Sequence, residues 1–373
     1  MKSPDIHIII SGGGTGGHLF PALAIAEALK KLDPSVKLMF VGALGKLEME
    51  KVPAAGYVIE GLDIMGLQRS FNLQNLKFPL RLLKSLLKSR AIINRFRPDA
   101  AVGVGGYASG PLLFMAARKG IPCLIQEQNS YPGITNKILA KKAAGICVAY
   151  PGMERFFPAS KLMLTGNPVR KSIVDHSTDR TAAVSQFGLS VDQPILLVLG
   201  GSLGARTLNE GLLAGLDRLS AAGIQVIWQA GKRYYAALQT QTSGKYPGLK
   251  LIEFITDMDA AYSAADLIIS RAGAGTISEL AWAAKPVILV PSPNVAEDHQ
   301  TRNAEALVKT GAAVMVTDAD VPATLISTAL ELLDSPARQQ ELASHIKEHA
   351  YPDAALKIAA EILALATTYK LTS

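Results

Sequence analysis

His18 closes SGGGTGGH, a run with five glycines set between an apolar strand-like stretch, His7 to Ile10, and a helical pattern predicted from about Leu19. An imidazole where a loop becomes a helix can exchange protons near neutral pH. It could equally pack against the turn or cap it. The bare N–H groups at a helix start carry partial positive charge and suit an anion. Here the anion could be a dinucleotide pyrophosphate, another phosphate, or none. Gly12, Gly14 and Gly17 satisfy G-x-G-x-x-G. Dinucleotide binding also asks for an acidic residue about 20 positions on, closing the second strand. That strand, VKLMFVGALG, ends in Gly42 without one, so nicotinamide chemistry loses its second support.

A stronger phosphate signal comes later, in LIISRAGAGTISELAWAAKP. A strand passes through Gly273 and Gly275 into a helix, with Thr276 and Ser278 in its first turn. Such N–H groups and hydroxyls can hold a diphosphate without lysine or metal, because the helix dipole contributes. Glu279 follows one turn on. It reads as a carboxylate compensating the dipole, worth ~0.3–1 kcal/mol, or as a bidentate acceptor for two ribose hydroxyls. Ser202 in GGSLGA and Gln300 in EDHQTRNA end other strands of this half, and Arg170 could reach the phosphates. In the first half, AVGVGGYASGP sets Gly105, Gly106 and Gly110 around Tyr107 and Ser109, and IPCLIQEQNSYPG delivers Glu127, Gln128 and Asn129. Turn formation accounts for part of this chemistry. An apolar wall with a few convergent polar groups would also suit a sugar hydroxyl acceptor.

These loops need strands to carry them. Apolar runs alternate with helical patterns: HIII, VKLMFVG, AAVGVGG, IPCLIQ and GICVAY, then PILLVLGG, IQVIWQAG, LKLIEF, LIISRAG, PVILVPS and AAVMVT. Strands apolar on both faces argue for parallel sheets covered by helices. The pattern restarts at ILLVLGGSLGARTLNEGLL, so two consecutive doubly wound domains are expected, with a boundary near TGNPVRKSIVDHST. Ligands of such sheets bind beyond the carboxyl ends of the strands. A length of 373 residues, 49% hydrophobic and 18% charged, suits two folded domains and excludes a disordered chain. Cys123 and Cys147 sit in apolar runs and read as buried reduced thiols. MKSPDIHIII lacks a signal-peptide apolar region, and no stretch reaches the ~18 to 20 apolar residues of a spanning helix. A cytosolic protein is expected, though not one necessarily remote from a membrane.

Together, SGGGTGGH, GGYASGP, EQN, GNPVR, GGSLGAR, GAGTISE and DHQTRNA resemble the MurG family, N-acetylglucosaminyltransferases of glycosyltransferase family 28. The resemblance covers nearly the whole chain in order. It implies the α/β GT-B fold, two doubly wound Rossmann-like parallel-sheet domains facing across a cleft. The implied divisions are 1–166, an acceptor and membrane-associating domain; 167–345, a UDP-sugar donor domain; and 346–373, a C-terminal helix returning to the first. The implied activity is inverting transfer of N-acetylglucosamine from UDP-GlcNAc to the C4 hydroxyl of undecaprenyl-pyrophosphoryl-MurNAc-pentapeptide (lipid I), giving lipid II for peptidoglycan. Implied donor contacts are Thr15, Gly16, Gly17, Asn129, Arg170, Ser202, Ile255, Ala274, Gly275, Thr276, Ile277, Ser278, Glu279 and Gln300. Gly105, Gly106, Tyr107 and Ser109 fall on the acceptor side. The implied location is peripheral, on the cytoplasmic face of the bacterial inner membrane.

Inversion needs one displacement and a base for the attacking hydroxyl. His18 is the first candidate and Glu127 the second. Two Asp-x-Asp pairs, Asp257 to Asp259 and Asp318 to Asp320, read as helix starts rather than metal ligands. No metal and no cofactor are expected, and leaving-group charge falls to the GAGTIS helix start and Arg170. The segment 77–97 carries Lys77, Arg81, Lys84, Lys88, Arg90, Arg95 and Arg97 with no acid, matching the net charge of +7. At ~100° per residue, Lys77, Arg81, Lys84, Lys88 and Arg95 share one stripe. Leu80, Leu83 and Leu87 form a neighbouring stripe, and Leu82, Leu86 and Ile93 another. This is either a solvated surface helix or one lying on anionic lipid. Nucleic acid fits poorly, since no aromatic platform accompanies the charge. A UDP-GlcNAc 2-epimerase and a non-catalytic sugar-nucleotide sensor remain as alternative functions.

Overall fold

Ile8, Ile9 and Ile10 are fully buried, as are Leu196, Leu197 and Val198. Runs of this kind are satisfied only where helices cover both faces of a parallel sheet, and the chain builds that arrangement twice. The structure, a computed structural model, describes residues 5–14, 16–65, 78–174, 178–201 and 203–372. It divides into unit 1, Met1–Arg170 with Tyr351–Ser373, and unit 2, Lys171–Ala350.

Unit 1 begins β1 (His7–Gly12), α1 (Gly16–Leu32), β2 (Lys37–Ala43), α2 (Glu48–Ala54), β3 (Val58–Leu62) and α3 (Phe78–Phe96). It continues β4 (Ala100–Gly105), α4 (Ser109–Arg118), β5 (Cys123–Glu127), α5 (Ile134–Ala140), β6 (Gly145–Val148) and β7 (Leu162–Leu164). Among the described residues these strands form a seven-stranded sheet, order β3-β2-β1-β4-β5-β6-β7, parallel throughout.

Unit 2 runs α6 (Lys171–Val174), α7 (Arg180–Gln186), β8 (Ile195–Leu199), α8 (Arg206–Ala221), β9 (Gln225–Gln229), α9 (Tyr235–Thr242) and β10 (Leu249–Ile252). Then come α10 (Met258–Ala264), β11 (Leu267–Ser270), α11 (Ala274–Ala283), β12 (Val287–Leu289), α12 (His299–Lys309) and β13 (Val314–Met315). The helices α13 (Val321–Leu333) and α14 (Pro336–Lys347) complete it. Its six-stranded sheet, order β10-β9-β8-β11-β12-β13, is also parallel.

The last helix, α15 (Ala354–Thr372), belongs to unit 1. Ile358 and Ile362 join Ile8, Ile10, Ile25 and Leu29 in one core, so α15 and α1 cover the same sheet face. The other face buries Ile9, Val41, Ile92, Leu112 and Ile125 under α3 and α4. Lys370 Nζ donates to Asp99 Oδ2 at 3.2 Å and latches the end of α15. Cys123 and Cys147 are buried and free, and burial pushes both thiols up to about 12.

Every strand expected from the apolar runs is present. The structure adds β3 and β7, both at sheet edges, which were not expected. In each sheet the order reverses once, between β1 and β4 in unit 1 and between β8 and β11 in unit 2. Loops at the carboxyl ends of strands beside such a reversal form the usual ligand crevice. The two Gly-rich turns singled out above, after β1 and after β11, both lie at these reversals.

Candidate functional site

In unit 1, α1 starts at Gly16, earlier than the helix predicted from about Leu19. His18 therefore lies inside the first turn, half-buried, with Gly16 and Gly17 ahead of it. Its ring rests on the end of β4. A Cβ on Gly105 would come 2.5 Å from His18 Cδ2, and Gly105 has φ +99°, so only glycine meets both demands. Gly106 sits against the carbonyl of Gly13, joining the two loops. Tyr107 is half-exposed beyond them. Arg170 lies over the ring of Phe20, its Cζ 5.8 Å from the centroid.

Under this turn lies a carboxylate that the sequence reading missed. Glu48 is fully buried. Its Oε2 accepts from the Gly14 N–H at 2.8 Å and its Oε1 from the Ala43 N–H at 3.0 Å. The side chain fills the space that a Cβ on Gly13 would need, which explains that glycine. The second strand does lack a terminal acid, but Glu48 reaches back to it from the next helix. One N–H of the Gly-rich turn is thus already neutralised from within the protein. The available signal was a glutamate in the first turn of the helix after β2.

Two candidates change role. Ser109 is fully buried and its hydroxyl donates to the carbonyls of Gly105 (2.8 Å) and Ser11 (3.0 Å). It braces the loop rather than facing a substrate. Glu127, 2% exposed, accepts four hydrogen bonds. Oε1 takes the Asn129 N–H (3.0 Å) and Nδ2 (3.2 Å). Oε2 takes the Gly133 N–H (3.1 Å) and Asn136 Nδ2 (2.7 Å). Burial raises its pKa, outweighing these four donors, which pull it down. A carboxylate with its oxygens engaged and no exposure shapes the 127–133 loop and is a poor base, so His18 is left as the base candidate. Gln128 is likewise buried, donating to the Val104 carbonyl at 2.7 Å, whereas Asn129 stays half-buried at the loop surface.

In unit 2, Gly273 takes extended backbone at the N-cap of α11. Gly275 and Thr276 are half-buried in the first turn, while Ala274 and Ile277 point into the core. Ser278 Oγ donates back to the Ala274 carbonyl at 3.0 Å, so its hydroxyl proton is used within the helix. Glu279 is half-buried, and its Oε2 accepts from the hydroxyl of Tyr262 at 3.1 Å. Gln300 Oε1 accepts from the Ser292 N–H at 2.9 Å, and the Ile255 N–H donates to Gln229 Oε1 at 2.9 Å. Arg271, also missed, donates to the carbonyls of Val290 (3.1 Å) and Pro291 (3.2 Å) and to Asp318 Oδ1 (2.5 Å). It ties together the strand ends that present the turn.

Both Asp-x-Asp pairs are committed elsewhere. Asp257 caps α10 through the Ala260 N–H at 3.1 Å, and Asp259 accepts from Thr178 Oγ1 at 2.6 Å. Asp318 holds Arg271 and Thr207, and Asp320 stands at the N-cap of α13.

On α3, Leu82 packs inward and Ile93 is buried, whereas Leu80, Leu83 and Leu87 are 65%, 54% and 58% exposed. One leucine stripe thus stays exposed while the other turns toward the core. Lys84 and Arg90 are exposed. Arg81 instead contacts Met65 and Asp63, and Lys88 donates to the Gly61 carbonyl at 2.7 Å. No helix of the described residues is long and apolar enough to cross a membrane. Thr15, Ser202 and Lys77 lie outside the described residues.

Comparison with known proteins bears on the whole chain. Residues 8–148 match the glycosyltransferase family 28 N-terminal domain and residues 195–358 match the family 28 C-terminal domain. A protein of Phocaeicola vulgatus is 54% identical over 368 residues, 98% of each chain. One from Bacteroides fragilis is 53% identical over 364 residues, 97% of this chain and 96% of the other. Both carry the name UDP-N-acetylglucosamine--N-acetylmuramyl-(pentapeptide) pyrophosphoryl-undecaprenol N-acetylglucosamine transferase. The crystal structure of Acinetobacter baumannii MurG superposes with a TM-score of 0.79 at 30% identity, covering 96% of this chain and 99% of that one. The chain belongs to glycosyltransferase family 28.

Proposed function

We propose that this family 28 member transfers N-acetylglucosamine from UDP-GlcNAc to the C4 hydroxyl of undecaprenyl-pyrophosphoryl-MurNAc-pentapeptide, with inversion, as a step of peptidoglycan synthesis. The observation that carries the reading is the start of α11. There a half-buried glycine and threonine precede a carboxylate one turn on, the chemistry that a nucleoside diphosphate asks for. The relatives' names supply the sugar and the acceptor. The first-turn N–H groups and Thr276 hold the diphosphate, and Glu279 holds the ribose. Arg170, Asn129 and Gln300 are further donor contacts. As the glycosidic bond to UDP breaks, negative charge grows on the leaving phosphate and the α11 dipole stabilises it. His18 takes the proton from the attacking hydroxyl. Tyr107, with Gly105 and Gly106, belongs to the acceptor side.

Incubation with labelled UDP-GlcNAc and a short-chain acceptor analogue tests this. A disaccharide product that depends on the acceptor is expected. Epimerised donor without acceptor, or binding without turnover, would overturn it.

The acceptor is lipid-anchored, so the enzyme must meet a bilayer. The Leu80, Leu83 and Leu87 ridge, with Lys84 and Arg90 beside it, is our candidate for contact with the cytoplasmic leaflet. Each leucine that reaches the acyl boundary contributes about 1.5–3 kcal/mol, and each cation near anionic lipid ~1 kcal/mol. Replacing Leu83 and Leu87 by serine should abolish sedimentation with phosphatidylglycerol vesicles and leave turnover of the soluble analogue intact. Unchanged sedimentation removes the proposal.

A further inference from the structure

Tyr262 is not among the proposed substrate contacts, yet its phenol is joined to Glu279. It is 1% exposed, on a helix held at its start from both sides. Asp257 Oδ1 accepts from the Ala260 N–H at 3.1 Å, and Asp259 Oδ2 accepts from the Thr178 N–H at 3.1 Å and its hydroxyl at 2.6 Å. The tyrosine hydroxyl meets Glu279 Oε2 at 3.1 Å. Phenylalanine would fill the same space, so packing alone does not ask for the oxygen. Burying a hydroxyl is unfavourable unless it is bonded, and here its partner is a carboxylate one turn inside α11.

The geometry points to Tyr262 as a positioning residue for the donor. Its hydroxyl holds the Glu279 carboxylate in the orientation that receives the cis-diol of a nucleoside diphosphate sugar. The inference rests on the reading of Glu279 as the ribose acceptor. A glutamate on a helix surface samples several rotamers, and fixing one is entropically costly at the moment of binding. A phenol bonded in advance removes much of that loss. A carboxylate can accept about four hydrogen bonds, and the phenol takes one of those sites.

The test is Tyr262→Phe, titrated calorimetrically with UDP and with 2′,3′-dideoxy-UDP, which lacks both ribose hydroxyls. UDP affinity should fall about three- to tenfold, the net contribution of one ordinary hydrogen bond. Affinity for the dideoxy nucleotide should not change. In turnover, KM for UDP-GlcNAc should rise by the same factor with kcat within twofold. Equal weakening of both nucleotides would mark a structural role and overturn the inference, as would no weakening of either. If the unmodified protein itself fails to distinguish the two nucleotides, the Glu279 reading falls and takes this inference with it. If it distinguishes them and Tyr262→Phe does so equally well, the inference alone falls.

Discussion

The two Gly-rich turns look alike as sequence: each follows an apolar strand, opens a helix and stands where its sheet reverses order. Their surroundings differ. The turn after β1 is occupied from below by Glu48, which takes the Gly14 N–H, and from the side by the β4 loop through Gly105 and Gly106. After β11 the glycines face nothing of that kind: a Cβ on Gly275 would meet nothing within 4 Å. The carboxylate there, Glu279, lies one turn further in and is braced by Tyr262. In the first turn Gly13 is needed because Glu48 packs on it, while Gly14 takes a φ of +87°. The other is glycine-rich with room above it. On the proposed function, the first motif braces the base candidate in unit 1 and the second offers an anion seat in unit 2.

The largest expected effect breaks the unit 1 side. His18→Ala should lower kcat by ~10²-fold or more if the imidazole is the base, while calorimetric affinity for UDP stays unchanged. Near-normal kcat at saturating substrate would remove His18 from the chemistry. Next, Glu279→Gln should raise KM for UDP-GlcNAc by about tenfold or more through loss of a charge-assisted pair, with kcat much less affected. A fall in kcat at constant KM would merge the roles that the comparison separates.

A smaller effect sharpens it. Glu48→Gln keeps shape but can accept from only one of its two N–H partners, leaving a buried donor unpaired at a cost of about 1–3 kcal/mol. Thermal unfolding should shift down by several degrees and kcat should fall, with UDP affinity retained. Weakened UDP binding would place the nucleotide on the β1 turn and reverse the assignment.

The smallest effect is in pH. Burial lowers the pKa of His349 in unit 2 from 6.5, so the unfolded chain binds the proton more readily. Its contribution is present above about 6.5 and is lost as pH falls toward the folded value. Glu127 in unit 1 has the opposite sign: its pKa is raised above 4.5, so its contribution is full below that value and declines as pH rises through the folded one. Melting curves of His349→Gln and Glu127→Gln between pH 4 and 8 should therefore diverge from the parent in opposite directions. Parallel curves would refute the contrast.

Much of the fold was legible in the residues. Fully apolar runs such as Ile8 to Ile10 and Leu196 to Val198 announce buried parallel strands because no other element satisfies them. The two edge strands of unit 1 escaped notice for the same reason reversed. VIEGL in β3 mixes exposed and buried positions around Glu60 and Gly61, and β7 is three residues long. Polar side chains were less legible than backbone. Asn129, Ser109 and Glu127 all read as site chemistry, yet two of the three are spent inside the protein.

Sequence alone determined the two parallel sheets, the strand-end loops and the helix starts that suit an anion, since local apolar periodicity and glycine placement fix these within a few residues of chain. Tertiary structure alone decided which acids are available. Glu48 meets Gly14 across 34 positions, Asn136 meets Glu127 across 9, and Tyr262 meets Glu279 across 17. A carboxylate's role follows from the donors that reach it and from its access to water, and packing of separate elements settles both.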